Sequence, residues 1–269
     1  MCRMLGIISI KPISPSKYLI KDKCSLLIQA VKGKQSDGWG IGYYVSNNLN
    51  VFKSSKPIYE EKDMFKTMCR KIKANIIIAH VRKASNPRNL PKEKLISKEN
   101  SQPFYYKKYL FVHNGSIYIP DNVIEFLDEY KSIIRGVNDS EVYFAFLLKK
   151  LAETGDLIKA FREVERDLWN ILKRSGKEIK YPYSSLNTIF SDGTKIYALT
   201  RYLRGRNLNS ICYGDSKYYR MSYYYSGGIL IVSSEKTSRD DWRTMNNGEL
   251  LIAEKIGDKI NYRILNIFE

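Results

Sequence analysis

Residues that commonly bind metals are scarce in this sequence of 269 residues. Its cysteines are Cys2, Cys24, Cys69 and Cys212, and its histidines are His80 and His113. The cysteines lie far apart and form no CxxC pair, whereas zinc sites usually draw on closely spaced ligands. We therefore expect no metal site. The same spacing implies no disulfide framework in an intracellular chain.

The sequence also lacks an apolar run of about 18 residues, and it lacks the basic leader and small-residue cleavage site of a secretory signal. These absences predict a cytoplasmic protein with no membrane-spanning helix. Hydrophobic residues make up 43% and aromatic residues 13% of the chain, which is typical of a globular fold. No linker rich in Pro, Gly or Ser interrupts it, so we expect residues 1–269 to form one domain.

The chain carries a net charge of +17, from 45 basic and 28 acidic residues. Such an excess attracts polyanions without specificity. The basic residues are nevertheless scattered, and no helix-turn-helix, zinc-finger or RNP pattern is present. We therefore interpret the charge as solvated lysine surface and expect no specific binding of nucleic acid.

Predicted strands and helices occur in blocks and not in strict alternation. Helices are predicted at 16–31, 60–74, 121–134, 139–151 and 156–174. Strands are predicted for residues 3–10, for the hairpin GWGIGYYVS/NLNVFKSS turning at Asn47 and Asn48, for NIIIAHV and YLFVHNGSI, and for six segments after residue 184, including CYGDSKYYRMSYYY. This order favours an α+β fold with mainly antiparallel sheets.

Cys2 is the first residue whose chemistry stands out. Removal of Met1 would give it a thiol and a free α-amine, and an amine with a pKa of about 8 can act as a base near neutral pH. The apolar strand that follows would hold the residue rigidly. Taken alone, a small buried hydrophobic residue is the better interpretation of Cys2.

Two further stretches end predicted strands. Asn114 and Gly115 follow His113, and an Asn amide with a Gly N–H can stabilise an oxyanion, although Asn-Gly is also a common turn. His113 itself is expected in the core or behind the site. Arg82 follows NIIIAHV, where its guanidinium can bind a ligand carboxylate or pair with an acidic residue, and Ser85 can add a hydroxyl.

Asp139, in the stretch NDSE, is predicted to cap the helix that begins there. If Asp139 faced the same cleft as Arg82, the carboxylate and the guanidinium together would hold an α-amino acid at both ends. The sequence alone does not decide between these two roles.

Taken in order, the motifs MCRMLG, DGWGIGYY, AHVRKAS, NSQPF with HNGSI, NDSE, and ALTRY with IVSSE resemble those of the class II glutamine amidotransferases, in their stand-alone branch. The resemblance covers nearly the whole chain. It implies a four-layer αββα sandwich of the N-terminal-nucleophile type, with the active site at one end.

The resemblance also implies residue roles. Cys2 would be the nucleophile and its α-amine the base, with Asn114 and Gly115 forming the oxyanion hole. Arg82, helped by Ser85, would bind the substrate α-carboxylate, and Asp139 the α-ammonium. The reaction would pass through a γ-glutamyl thioester and would need no metal or organic cofactor.

Two departures concern the choice of substrate. Gln35-Ser36 stands before DGWG where the family often has His-Pro, and Asn86-Pro87 follows AHVRKAS in place of a glycine-containing continuation. No synthase domain follows in the sequence, so the leading expectation is hydrolysis of glutamine or a γ-glutamyl compound. Two alternatives remain: an ammonia-supplying subunit of a separate synthetase, or a binding protein that does not use the site. A homodimer is left open, and the Tyr-rich segment YYRMSYYY is assigned to sheet or interface packing.

Overall fold

The structure is a computed structural model that describes residues 2–203 and 209–268. Its strands are β1 (Arg3–Ile13), β2 (Trp39–Val45), β3 (Asn48–Ser54), β4 (Ala74–Val81), β5 (Phe104–Tyr106), β6 (Tyr109–Asn114), β7 (Asn187–Ser191), β8 (Lys195–Leu199), β9 (Ser222–Ser226), β10 (Ile229–Ser233), β11 (Arg243–Thr244), β12 (Glu249–Ile256) and β13 (Lys259–Asn266). Its helices are α1 (Leu26–Lys32), α2 (Lys62–Lys71), α3 (Lys92–Leu95), α4 (Pro120–Ile124), α5 (Asp139–Thr154) and α6 (Leu157–Arg174). A π-helical turn at Lys17–Lys21 and a 3₁₀ turn at Asp128–Ile133 complete the helical segments of the described ranges.

The strands form two sheets. The first has the order β11-β9-β10-β1-β4-β2-β3, and the second has the order β13-β12-β8-β7-β6-β5. Each of these pairings is antiparallel. The prediction of an α+β fold with mainly antiparallel sheets is confirmed.

Three buried clusters correspond to the three interfaces of a four-layer αββα sandwich. Side chains of α1 and α2 pack on one face of the first sheet. Side chains of α5 and α6 pack on the outer face of the second sheet. Between the sheets lies a third cluster, to which β1, β4, β6 and β7 all contribute.

Strand β1 shows why the central strands are apolar throughout. Leu5 and Ile7 face the helices of the first sheet, whereas Met4 and Ile8 face the second sheet. Successive side chains of a strand point to opposite faces, so a strand buried on both faces needs apolar residues at consecutive positions. The central sheets are therefore rigid supports for residues at the ends of their strands.

Two predicted helices are interrupted. The helix predicted at 16–31 breaks near Cys24, whose N–H donates to the Thr237 carbonyl at 2.9 Å instead of continuing a helical ladder. The helix predicted at 121–134 divides before Asp128, which has a positive φ of 48°. A non-glycine residue in this backbone region cannot continue a right-handed helix.

Two strand predictions also need correction. The hairpin between β2 and β3 turns at Ser46 and Asn47, one residue earlier than predicted, and both residues have positive φ, as a two-residue turn requires. In the segment predicted as one strand from Cys212, only β9 is extended, because turns occupy much of the preceding stretch. Within β9, Tyr223 is buried between the sheets and Tyr224 stacks on Trp242, which agrees with the packing role predicted for the tyrosines.

Cys24 and Cys212 form a disulfide, with their Cα atoms 6.0 Å apart. The spacing of the cysteines in the sequence did not imply a disulfide framework, and this one pair nevertheless forms. The two residues are 188 positions apart in sequence, and only the tertiary fold brings the start of α1 to the segment that precedes β9. In the part of the chain that the structure describes, no helix is long and apolar enough to cross a membrane.

Candidate active site

The candidate site lies at the end of the first sheet at which the central strand β1 begins and its neighbour β4 ends. In this antiparallel ladder Arg3 pairs with Val81, and Trp39, the first residue of β2, pairs with Val81 from the other side. The register therefore brings Cys2, just before β1, next to Arg82, just after β4. Strand geometry thus joins two residues that are 80 positions apart in sequence.

The Cys2 side chain is buried, and its thiol donates to the Lys83 carbonyl across 3.5 Å. Burial raises the pKa of this thiol above its ordinary value, and the hydrogen bond to Lys83 and the charge of Arg82 act in the opposite direction. The resting thiol is therefore uncharged at neutral pH, and a nucleophilic attack by Cys2 needs a base close by.

Arg82 is only 3% exposed. Its Nη1 donates to the carbonyls of Leu95, at 2.7 Å, and Asp37, at 3.3 Å. Burial lowers the pKa of the guanidinium, while Cys2, Asp37 and Asp139 act to raise it. No ion pair within 4.0 Å joins Arg82 to a carboxylate of residues 2–203 or 209–268, so the structure gives no support to the alternative of a structural ion pair.

Asp139 is the first residue of α5 and is 2% exposed. The cap of this helix is Asn138, whose Oδ1 accepts from the Ser140 N–H at 2.9 Å, so the prediction that Asp139 caps the helix is wrong. Asp139 instead accepts from the Ser85 hydroxyl at 3.0 Å and from the Ile117 N–H at 2.7 Å. Burial raises the pKa of its carboxyl, and both hydrogen bonds and Arg82 oppose this shift.

Asn114 ends β6, opposite Asn187 of β7, and is buried. Its Oδ1 has no hydrogen-bond partner among the described residues. A Cβ on Gly115 would lie 2.0 Å from the Ser185 carbonyl oxygen. Glycine is required at this position because the backbone passes too close to Ser185, which precedes β7, for any side chain.

His113 is buried behind the site, as expected. Its Nε2 faces the Ser185 carbonyl at 2.8 Å, and its Nδ1 faces the Ser140 hydroxyl at 2.9 Å. A carbonyl can only accept, so Nε2 carries the proton and Nδ1 accepts from Ser140. Burial lowers the pKa of His113 to about 4, so the ring is neutral. It braces β6 against α5 and against the segment that precedes β7.

Asp37, which sequence reasoning did not assign, connects the motif DGWG to AHVRKAS. Its Oδ2 accepts from the Ala84 N–H at 2.7 Å, and its main chain exchanges hydrogen bonds with Arg82. The signal was present in the sequence, since an aspartate before Gly38 suits a turn whose side chain binds backbone N–H groups. Hydrogen bonds thus connect the motifs DGWG, AHVRKAS, HNGSI and NDSE, and the Cys2 thiol contacts the AHVRKAS segment.

The arrangement can bind an amino acid next to a thiol. A buried cation, Arg82, and a buried carboxylate, Asp139, lie close enough to Cys2 for both to influence the pKa of its thiol. The opposite charges suit the α-carboxylate and α-ammonium of one ligand, and burial strengthens both interactions.

Comparison with known proteins adds sequence evidence. The family model described as class II glutamine amidotransferases matches residues 1–213. An uncharacterized protein of Methanocaldococcus jannaschii is 29% identical over 273 residues, covering 94% of this chain and 69% of that protein. A probable glutamine amidotransferase of Saccharomyces cerevisiae is 29% identical over 304 residues, covering 95% of this chain and 82% of that protein.

Solved structures with the same fold include a glutamine aminotransferase class-II domain protein from Silicibacter pomeroyi. It superposes with a TM-score of 0.62 at 17% identity, covering 97% of this chain and 98% of that one. The glutamine phosphoribosylpyrophosphate amidotransferase from B. subtilis superposes with a TM-score of 0.61 at 18% identity, covering 97% of this chain and 49% of that one. At such low identity, these likenesses establish the fold alone.

Proposed function

The chain belongs to the class II glutamine amidotransferases, and from that premise we propose that it cleaves the side-chain amide of glutamine or of a γ-glutamyl compound. Cys2 is the nucleophile in this proposal, and its α-amine is the base. Met1, whose removal the mechanism requires, lies outside the described residues.

The observation that carries the proposal is the pair of buried, opposite charges beside the thiol. Asp139 is fixed by hydrogen bonds from Ser85 and Ile117, and Arg82 is held by two carbonyls through one nitrogen only. A buried charge without an ion-pair partner is costly in a purely structural role, and a zwitterionic ligand would remove part of that cost.

Each residue has a defined task in the reaction. The α-amine of Cys2 takes the thiol proton, and Sγ forms a bond to the side-chain amide carbon. The Asn114 amide and the Gly115 N–H stabilise the oxyanion. The C–N bond then breaks, the leaving nitrogen takes the proton as ammonia or an amine, and water hydrolyses the thioester.

Substrate binding follows from the same charges. The guanidinium nitrogens of Arg82 other than Nη1, helped by Ser85, bind the α-carboxylate, and Asp139 binds the α-ammonium. Because both ends of the amino acid are held, the γ-amide is the part that reaches Cys2. Groups attached to the amide nitrogen point away from the two charges, which is why glutamine and γ-glutamyl amides are both candidates.

Intact mass and ammonia release from glutamine, measured on one sample, test this function. We expect protein that lacks Met1 to release ammonia, and Cys2→Ala to reduce the rate by a factor on the order of 10³ or more. Cys69→Ala is the matched control, because Cys69 is the other free cysteine among the described residues and is buried in α2. Its variant should keep wild-type turnover.

Turnover retained by Cys2→Ala would rule out the proposed nucleophile. If trimmed, folded protein is inactive on glutamine but releases p-nitroaniline from γ-glutamyl p-nitroanilide, the substrate is a substituted γ-glutamyl amide. If it is inactive on both, the assay is repeated with candidate synthetases to test the proposal of a separate ammonia acceptor. The cytoplasmic location and the homodimer stay predictions, which fractionation and size-exclusion chromatography would test.

A further inference from the structure

A second buried charge pair lies directly behind the proposed nucleophile. Arg3, the residue after Cys2, and Glu235, just beyond the end of β10, have side chains with no accessible surface. Arg3 Nη2 donates to Glu235 Oε1 at 2.9 Å, and Arg3 Nη1 donates to the Cys2 carbonyl at 3.0 Å. The guanidinium thus connects Glu235 to the backbone of Cys2.

Other contacts fix this pair in place. The guanidinium carbon of Arg3 lies 3.9 Å from the centroid of the Tyr218 ring. Glu235 Oε1 also accepts from the Ile211 N–H at 2.7 Å. Ser234, next to Glu235, exchanges hydrogen bonds with Met4, through its N–H at 3.0 Å and its hydroxyl at 3.2 Å. These contacts therefore hold both charged side chains in place.

Stability alone does not account for the pair. Burying two charges carries a desolvation penalty, and apolar residues of similar volume often serve stability equally well. The hydrogen bonding of the two side chains is also incomplete, because Arg3 Nε and Glu235 Oε2 have no hydrogen-bond partner within the described ranges. A charged pair kept at this cost, in contact with Cys2, suggests a role in the reaction.

The position of Cys2 defines that role. Once Met1 is removed, the peptide bond to Arg3 is the only covalent link that holds Cys2 in the chain. The hydrogen bond to its carbonyl fixes the peptide plane from which the Cα of Cys2 projects, and this plane sets the position from which both the thiol and the α-amine extend. A displacement of about 1 Å in a reacting group can lower turnover by roughly a hundredfold.

We infer that Arg3 and Glu235 are positioning residues that orient the thiol and the α-amine of Cys2. The inference rests on the proposed function. The class II family model ends at residue 213, before Glu235, so the match does not include this partner of Arg3. The two residues are 232 positions apart in sequence, and only the pairing of β1 with β10 brings them together.

Glu235→Gln tests the charge without altering the N-terminal sequence. We expect kcat to fall about tenfold or more, with KM changed by less than about threefold. Loss of the carboxylate leaves the positive charge of Arg3 without its counter-charge. This disfavours the charged form of the nearby α-amine and lowers its pKa, so the acidic limb of the pH–rate profile should shift to lower pH. Arg3→Lys keeps the charge but not the planar fork, so it should lower kcat without this shift.

Glu165→Gln is the matched control, since the buried Glu165 forms an ion pair with the half-buried Arg201, between α6 and the segment after β8. The Glu165→Gln variant should have a lower melting temperature, with kcat and the acidic limb of the pH–rate profile unchanged. If Glu235→Gln has wild-type kcat and an unshifted limb, or changes only as Glu165→Gln does, the inference is wrong. Intact mass of each variant checks removal of Met1.

A readout independent of turnover separates this inference from the proposed function. The rate at which iodoacetamide alkylates Cys2 is followed against pH by mass spectrometry, with free glutathione added as the reference thiol. Glu235→Gln should move the midpoint of Cys2 alkylation to lower pH and leave the midpoint of glutathione unchanged. If the wild type cleaves no γ-glutamyl amide, either alone or with a synthetase, the proposed function falls, and the alkylation midpoints still support or refute the positioning pair.

Discussion

At the scale of single residues, the buried carboxyl of Asp139 leads to a prediction about pH. Burial raises its pKa in the folded protein, so it takes up a proton at a higher pH than an ordinary carboxyl. In the proposed mechanism, binding of the substrate ammonium needs the ionised form of Asp139. Affinity for the substrate is therefore present above the raised pKa and is lost as pH falls through it. This loss adds to the loss of activity that protonation of the Cys2 amine causes.

Asp139→Asn removes this titration. We expect KM for glutamine to rise roughly 10- to 100-fold, because a charge-assisted hydrogen bond to the ammonium is lost. The logarithm of kcat/KM against pH should keep the limb of the amine and lose the additional slope at lower pH. Ser85→Ala is the comparison variant, since the Ser85 hydroxyl lowers the pKa of Asp139 and its loss should move that slope to higher pH. An unchanged slope in Asp139→Asn would contradict the assignment.

At the scale of elements, Gly6 of β1 sets how closely the two sheets approach. A Cβ at this position would lie 2.9 Å from Ile189 Cγ2 of β7 and 3.3 Å from Val232 Cγ1 of β10. We expect Gly6→Ala to lower the free energy of unfolding by about 1–3 kcal/mol through overpacking, as measured by urea denaturation.

Ile189→Ala provides the control for Gly6→Ala, because it removes the methyl group that the new Cβ would meet. Alone it should destabilise by leaving a cavity. In the double variant, the added methyl fills part of that cavity. The loss in free energy of unfolding should therefore be smaller than the sum of the losses in the two single variants. Strict additivity would mean that the two positions do not contact each other.

The sequence predicted those strands well whose side chains are buried on both faces of a sheet. Strands β1, β4 and β6 have consecutive apolar residues, and the structure places them near the predicted bounds. The break at Cys24 was not predictable, because its N–H is bound by Thr237, more than 200 residues further along the chain. The cap at Asn138 was missed because Asn and Asp suit this position about equally well.

The same distinction holds for the candidate site. Cys2, Arg82, Ser85, Asn114, Gly115 and Asp139 were named from ordered motifs, and their roles stay predictions. Their contact partners were less predictable, although Asp37 lies in the motif DGWG and Glu235 in IVSSE. A motif does not say which distant residue an acid contacts, and Glu235 meets Arg3 only because β1 pairs with β10.

At the scale of the whole molecule, the Cys24–Cys212 disulfide joins the helix layer of the first sheet to the segment before β9. That segment also supplies the Ile211 N–H to Glu235, and Asp22 accepts from the Thr237 hydroxyl at 2.6 Å in the same region. The disulfide closes a loop spanning 188 positions, so it restricts the unfolded chain strongly.

We expect reduction of this disulfide to lower the free energy of unfolding by roughly 2–4 kcal/mol, measured by urea denaturation with and without reductant. The double variant Cys24→Ala/Cys212→Ala should match the reduced wild type and should not respond to reductant, which assigns the effect to this pair. Reduction should also lower ammonia release if the Ile211 bond to Glu235 helps to hold Arg3 against Cys2. Unchanged stability on reduction would show that the hydrogen bonds of Thr237 hold this region by themselves.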